Sequence, residues 1–257
     1  MTLLVRNARA YLLSLDGGAE KVLDAHLQNW QHLRNDSIAD LYRTLLHHAK
    51  NRKGMPNSIG DVERLREVFF GFDPIQVAVK CKTHKDILDR IAEKRISTAG
   101  IVDPINQRSH WVIYAKAALS AAKFLSDFPT AQSFHDFVQS FYKNHYSRLA
   151  LPLLLKEELF GFGFALACDF LKESGYKEFV KPDTHLNDIC RAAGITTAES
   201  DFGVFKDVVA YCTEHGLVPY EFDKLIWLVG SGNFYLTNQK LPVNKEYFIS
   251  TWLQRDG

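Results

Sequence analysis

Apolar residues recur along this chain at the period of an α-helix, and that repeat limits the folds open to it. Ile38, Leu41, Tyr42, Leu45, Leu46 and Ala49 stand at i, i+3, i+4, i+7, i+8 and i+11, which is one face of one helix. Asp36 or Ser37 supplies a cap just before it. Val62, Leu65, Val68 and Phe69 continue the pattern, and Ile87, Leu88, Ile91 and Ala92 mark a shorter helix. A long helix is predicted from Ser109 to Ser126, through Trp111, Ala115, Ala118, Leu119, Ala122 and Leu125. Pro129-Thr130 opens another, with Phe134, Phe137, Val138 and Phe141 inward. In the last third, Phe202 to Cys212 lie on a helix that ends at Gly216. Pro219 opens the next, which stops at Gly230-Ser231-Gly232, and a final helix is predicted over Lys245 to Leu253. No run of alternating strand character and no internal repeat is found. The expectation is an all-α chain of about ten to twelve helices with short connections.

A chain of 257 residues can bury a substantial core, and one or two domains is the prior. The expected division is a helical lobe over 1–105, packed with the C-terminal helices, and a second lobe over 106–257. Lysine and arginine total 31 against 30 aspartates and glutamates, a net charge of +1. There is no global field to announce a polyanion, so any anion-binding charge must be local. Cys81, Cys168, Cys190 and Cys212 form no CxxC pair, so the spacing of a metal site is missing. Reduced, mostly buried thiols are expected, as in a cytoplasmic protein. Arg6 and Arg9 interrupt any apolar leader, and the longest apolar stretch, Leu149 to Leu155, is too short for a bilayer. No membrane partner is expected. Two stretches read as loops: Asn51 to Asn57, which carries Arg52 and Lys53, and Ile96 to Arg108.

Two segments carry chemistry. Leu159-Phe160-Gly161-Phe162-Gly163 reads as a tight turn between two helices. Its glycines would let backbone N–H groups approach a phosphate, and the following helix start favours anions. Phe162, at the tip, is expected outside the core. Twenty residues after Gly163, Val180-Lys181-Pro182-Asp183-Thr184-His185 places one carboxylate at the start of the next helix. Alone, each segment has a plain alternative: glycines that only serve a helix–helix turn, and an aspartate that only caps a helix.

Taken together, the two segments and the small-residue helix from Ala165 to Ala167 resemble the signature of helix-hairpin-helix DNA glycosylases, the endonuclease III superfamily. The resemblance covers roughly Ser147 to Ala193. It implies an all-α fold of two lobes with a DNA-binding cleft, and it implies that Asp183 is the catalytic carboxylate. It also implies that Phe160, Gly161, Phe162, Gly163, Phe164 and Ala165 form the DNA-holding hairpin, with a monovalent cation on its carbonyl oxygens. The target nucleotide would be flipped out of the duplex. Members that also cleave the strand carry a lysine two positions after the second hairpin glycine. Here that position is Ala165, so no amine stands there to form a Schiff base. Lys172 and Lys181 are near in sequence but not at that place. The four-cysteine cluster of many relatives is missing, so no iron–sulfur cluster and no required cofactor is expected. Phe160 replaces the proline frequent in the hairpin.

The expected activity is that of a monofunctional glycosylase on double-stranded DNA, working as a monomer. Loss of a base builds positive charge on the sugar, which a carboxylate stabilises while it also activates water. Cap and catalyst are compatible roles for Asp183. Arg52 and Lys53 are candidate phosphate contacts. Trp111, Tyr114, Lys181 and His185 are candidates for the substrate pocket. Three alternatives stay open: action on hypermodified phage DNA, by excision in anti-phage defence or by exchange of a substituent; a DNA-binding module with no need of Asp183; and a helical scaffold with no nucleic acid partner, which the neutral charge favours.

Overall fold

The computed structural model describes residues 2–51, 55–98 and 102–253. In these residues the chain is helical: α1 (Leu3–Ser14), α2 (Glu20–Leu27), α3 (Ile38–Ala49), α4 (Met55–Ile59), α5 (Pro74–Lys80), α6 (His84–Glu93), α7 (His110–Leu125), α8 (Ala131–Ser140), α9 (His145–Glu158), α10 (Phe164–Glu173), α11 (Thr184–Ala192), α12 (Asp201–Glu214), α13 (Pro219–Ser231) and α14 (Lys245–Tyr247). Helix starts follow local chemistry. Ser37 caps α3 by accepting the Asp40 amide, Asp73 caps α5 ahead of Pro74, and Thr130 and Asn144 form capping boxes. The all-α expectation stands, with one small addition. Asn233–Phe234 (β1) and Gln239–Lys240 (β2) pair antiparallel.

Two stretches depart from the helical periodicity. The 62–69 pattern becomes a short 3-10 turn, Val62–Leu65, and the chain then takes left-handed backbone angles at Phe70 and Gly71 (φ 51° and 71°). The final helix is a single turn, α14, continued by π-helical winding over Phe248–Trp252. Val62, Leu65, Val68 and Phe69 are buried, but the winding is not uniform.

The chain forms two compact units, Met1–Arg34 with Leu171–Gly257, and Asn35–Phe170. In the second unit α7 is central, with α3, α4, α5, α6 and α9 packed on it. Six of its residues are alanines or serines, small enough for neighbours to approach on several sides. Helices on both sides of the expected 105/106 boundary therefore share one core, and the units part elsewhere. A buried His48–Asp169 pair (3.1 Å) ties α3 to α10 in this unit. In the first unit α13 is central, with α1, α2, α11 and α12 against it. The N-terminal segment does pack with the C-terminal helices, but only as far as residue 34.

Candidate functional site

The hairpin lies in the second unit. Asn144 starts α9, which ends at Glu158, and Leu159 leads into the turn. Gly161 takes φ +78°, a left-handed angle that favours glycine. The Phe162 amide donates to the Leu159 carbonyl (3.0 Å), closing the bend. The Gly163 carbonyl then accepts from Leu166 and Ala167, which starts α10. This bend reverses the expectation for the two phenylalanines. Phe162 folds back into the core at 5% exposure, whereas Phe160 stands out at 46%. Phe164 is buried, and Ala165 is half-buried.

Gly163 is unusual among the described glycines. Gly17, Gly60, Gly71, Gly161, Gly175, Gly194, Gly216 and Gly232 have left-handed backbone angles. At Gly18, Gly203 and Gly230 a Cβ would run into neighbouring atoms. Gly163 shows neither reason: its φ is outside the left-handed range, a Cβ would meet nothing within 4 Å, and the residue is exposed. The protein's own packing does not call for glycine there. A close approach from outside would.

Asp183 lies in the first unit, at the start of α11. Its Oδ1 accepts the amides of His185 (2.9 Å) and Leu186 (3.1 Å). Both cap bonds fall on Oδ1, so the cap leaves Oδ2 for other work. The side chain is half-buried, neither sealed in the core nor fully hydrated. The segment leading to Asp183 is held at Lys181 by Asp223 of α13, a residue that sequence reasoning did not single out. Asp223 Oδ1 accepts the Lys181 amide (2.8 Å), and its Oδ2 accepts Lys172 Nζ (2.6 Å). Lys172 Nζ also lies 3.2 Å from Glu173, which in turn accepts Lys224 Nζ at 2.9 Å. Burial pushes the Asp223 carboxyl above the usual carboxylate range. The Lys172 ammonium opposes this, and the negative charge of Asp183 adds to it. The signal for this network was present in Tyr220-Glu-Phe-Asp-Lys-Leu-Ile-Trp-Leu-Val229, where Asp223 and Lys224 interrupt an apolar run.

His185 sits in the first turn of α11, against Gly230 of α13. A Cβ at Gly230 would collide with its imidazole, so Gly230 makes the room this ring occupies. The sequence explains Gly230 as part of a helix stop; the structure places the stop at Gly232 (φ +63°) and gives Gly230 this packing role. Lys181 is half-buried and its amide is held by Asp223.

Trp111 and Tyr114 are core side chains of the second unit, 1% and 0% exposed, in edge-to-face contact on α7. This corrects their reading as walls of an open pocket. An aromatic on an amphipathic helix is apolar in either role, and only packing shows which way it faces. Arg52 and Lys53 lie outside the described residues. The four cysteines are buried free thiols. No described helix is long and apolar enough to cross a membrane.

Protein-family models, curated proteins and solved structures were each compared with the chain, and none matches. The functional reading therefore rests on the residues themselves.

Proposed function

We propose that this chain is a monofunctional DNA glycosylase of the helix-hairpin-helix kind, which hydrolyses the bond between a flipped base and its deoxyribose. The carrying observation is Gly163, a glycine at a helix start that neither backbone angle nor internal space accounts for. A phosphate approaching the amides of Gly163 and Ala165 does account for it. Asp183 supplies the second half, a capped carboxylate with one oxygen outside the cap. In this reading Asp183 stabilises the oxocarbenium-like sugar and takes the proton of the attacking water. The carbonyls of Leu159 and Gly163 are used within the turn, so a monovalent cation at the hairpin would draw on those between them. No step depends on that cation.

Two results are expected. Gly163→Ser should leave thermal stability unchanged or slightly raised, since serine is a better helix cap than glycine, while duplex affinity falls roughly tenfold. Fluorescence anisotropy with a labelled duplex reads the affinity, and equal binding by the variant would remove the role of the hairpin. Borohydride added during turnover should trap no covalent protein–DNA adduct, because Ala165 stands where an amine would be needed. A strong adduct on denaturing gels would overturn the monofunctional assignment. The activity itself is tested by incubating the protein with genomic and phage DNAs of differing modification and weighing the released bases. Release from hypermodified DNA alone would select phage-derived bases as the substrate class.

A further inference from the structure

Beside the hairpin, within the second unit, His84, Lys116, Leu119, Lys123 and Phe160 help to line an open cavity of about 370 Å³. None of the lining residues carries a carboxylate; the nearby Asp86 is engaged in capping α6, where its Oδ2 accepts from the Lys82 and Thr83 amides and from Thr83 Oγ1. Its wall is built by sequence-local means. Lys116 and Lys123 are seven residues apart on α7, so they lie on one face about 10.5 Å apart along the axis. Phe160 is fixed at the rim because its amide donates to Ser120 Oγ of the same helix (2.8 Å). The exposed ring then has Lys116 Nζ 5.4 Å from its centroid.

The two lysines here stand outside the ion pairs of the described residues. Elsewhere Lys172, Lys224 and Lys245 are each paired with a carboxylate. Neither Lys116 nor Lys123 has an ion pair among the described residues; Lys116 donates only to the neutral Gln107 amide oxygen. Burial holds the His84 imidazole below its ordinary range, the ammonium groups of Lys116 and Lys85 push it lower, and the Pro104 backbone and the Asp86 carboxylate oppose them. The groove thus joins two lysines without ion pairs, an imidazole and an exposed aromatic face. In a chain of net charge +1 this is a local basic surface of the kind a polyanion needs.

We infer that this groove carries the DNA strand onward from the hairpin, with backbone phosphates at Lys116 and Lys123 and a sugar or base against Phe160. The inference rests on the reading of the hairpin as a DNA contact, and adds to it a second contact surface that sets affinity rather than chemistry. Phosphate contacts of this type release counterions, so each one adds about 0.9 to the slope of log affinity against log salt. Aromatic stacking adds a contact that is tolerant of sequence.

The test is anisotropy with one labelled duplex over a salt series, using the wild-type chain, Lys116→Gln/Lys123→Gln, and a control, Lys206→Gln/Lys240→Gln, that makes the same change in net charge at exposed sites of the other unit. Thermal melts check that each variant is folded. The groove variant should show a slope shallower by about 1.8 and roughly tenfold weaker binding near 0.1 M salt, with the control close to wild type. A groove variant that tracks the control overturns the inference, and does so without touching the glycosylase reading if Gly163→Ser still weakens binding. Absence of salt-sensitive binding by the wild-type chain would overturn both.

Discussion

Asp183→Asn is expected to bind duplex DNA as the wild-type chain does and to release base about 10³-fold more slowly. The magnitude is that of removing a group that both stabilises transition-state charge and moves a proton. The variant is informative because asparagine is as good a helix cap as aspartate. Its amide oxygen can accept from His185 and Leu186 as the carboxylate Oδ1 does now, so the start of α11 should stay in place and the melting temperature should change little. What is lost is the negative charge and the proton-accepting oxygen outside the cap. Mass detection of free base, beside anisotropy on the same samples, separates chemistry from binding. Undiminished base release would end the assignment of Asp183. Undiminished binding by a chain that releases no base even as wild type would favour the DNA-binding module instead.

Lys172→Met is expected to lower unfolding stability by about 3–5 kcal/mol, the usual cost of removing one partner of a buried ion pair. Lys172 and Asp223 are 4% and 3% exposed, and their contact is 2.6 Å. Without the ammonium, Asp223 keeps the Lys181 amide but sits as an uncompensated anion near Asp183. Its carboxyl is already held above its ordinary range, and the substitution raises it further. A carboxyl whose folded-state pKa is raised costs stability above that pKa, and the cost shrinks as pH falls toward the unfolded value. The deficit should therefore be largest near neutral pH and smaller in mild acid. Urea titrations at several pH values measure it from the midpoint at constant slope. Lys172→Met/Asp223→Leu should recover part of the loss but not all, because leucine leaves the Lys181 amide without its acceptor. A single variant as stable as wild type at neutral pH would show that the pair does not hold this segment.

Much of the architecture could be read from periodicity. The α3, α7 and α13 faces were visible because spacing decides which side chains share a helix face, and the caps at Ser37, Thr130 and Asp183 are local chemistry. The 62–69 segment shows the limit of the same rule. Its apolar spacing is helical, but a left-handed Phe70 is not encoded by spacing. Boundaries between units were not legible at all. Residues 1–34 and 171–257 come together across the whole of the other unit, and no local property marks partners so distant in sequence. At the candidate site, Asp183 and the two hairpin glycines were legible, and Asp223 was not. Its charge in an apolar run was plain, but a buried charge is recognised only by its partner, and Lys172 lies fifty-one positions away.

By itself the amino-acid order determined that this chain is helical, where most helices begin, and which short segments depart from simple packing. These follow from interactions within a few residues, namely hydrogen-bond periodicity, side-chain capping and the freedom of glycine. Only the tertiary structure decided that Phe162 is core and Phe160 surface, that Trp111 and Tyr114 are buried, and that a Cβ at Gly163 would meet nothing within 4 Å. Those outcomes depend on which distant surfaces meet. Burial is a property of the assembled neighbours, not of the residue that is buried.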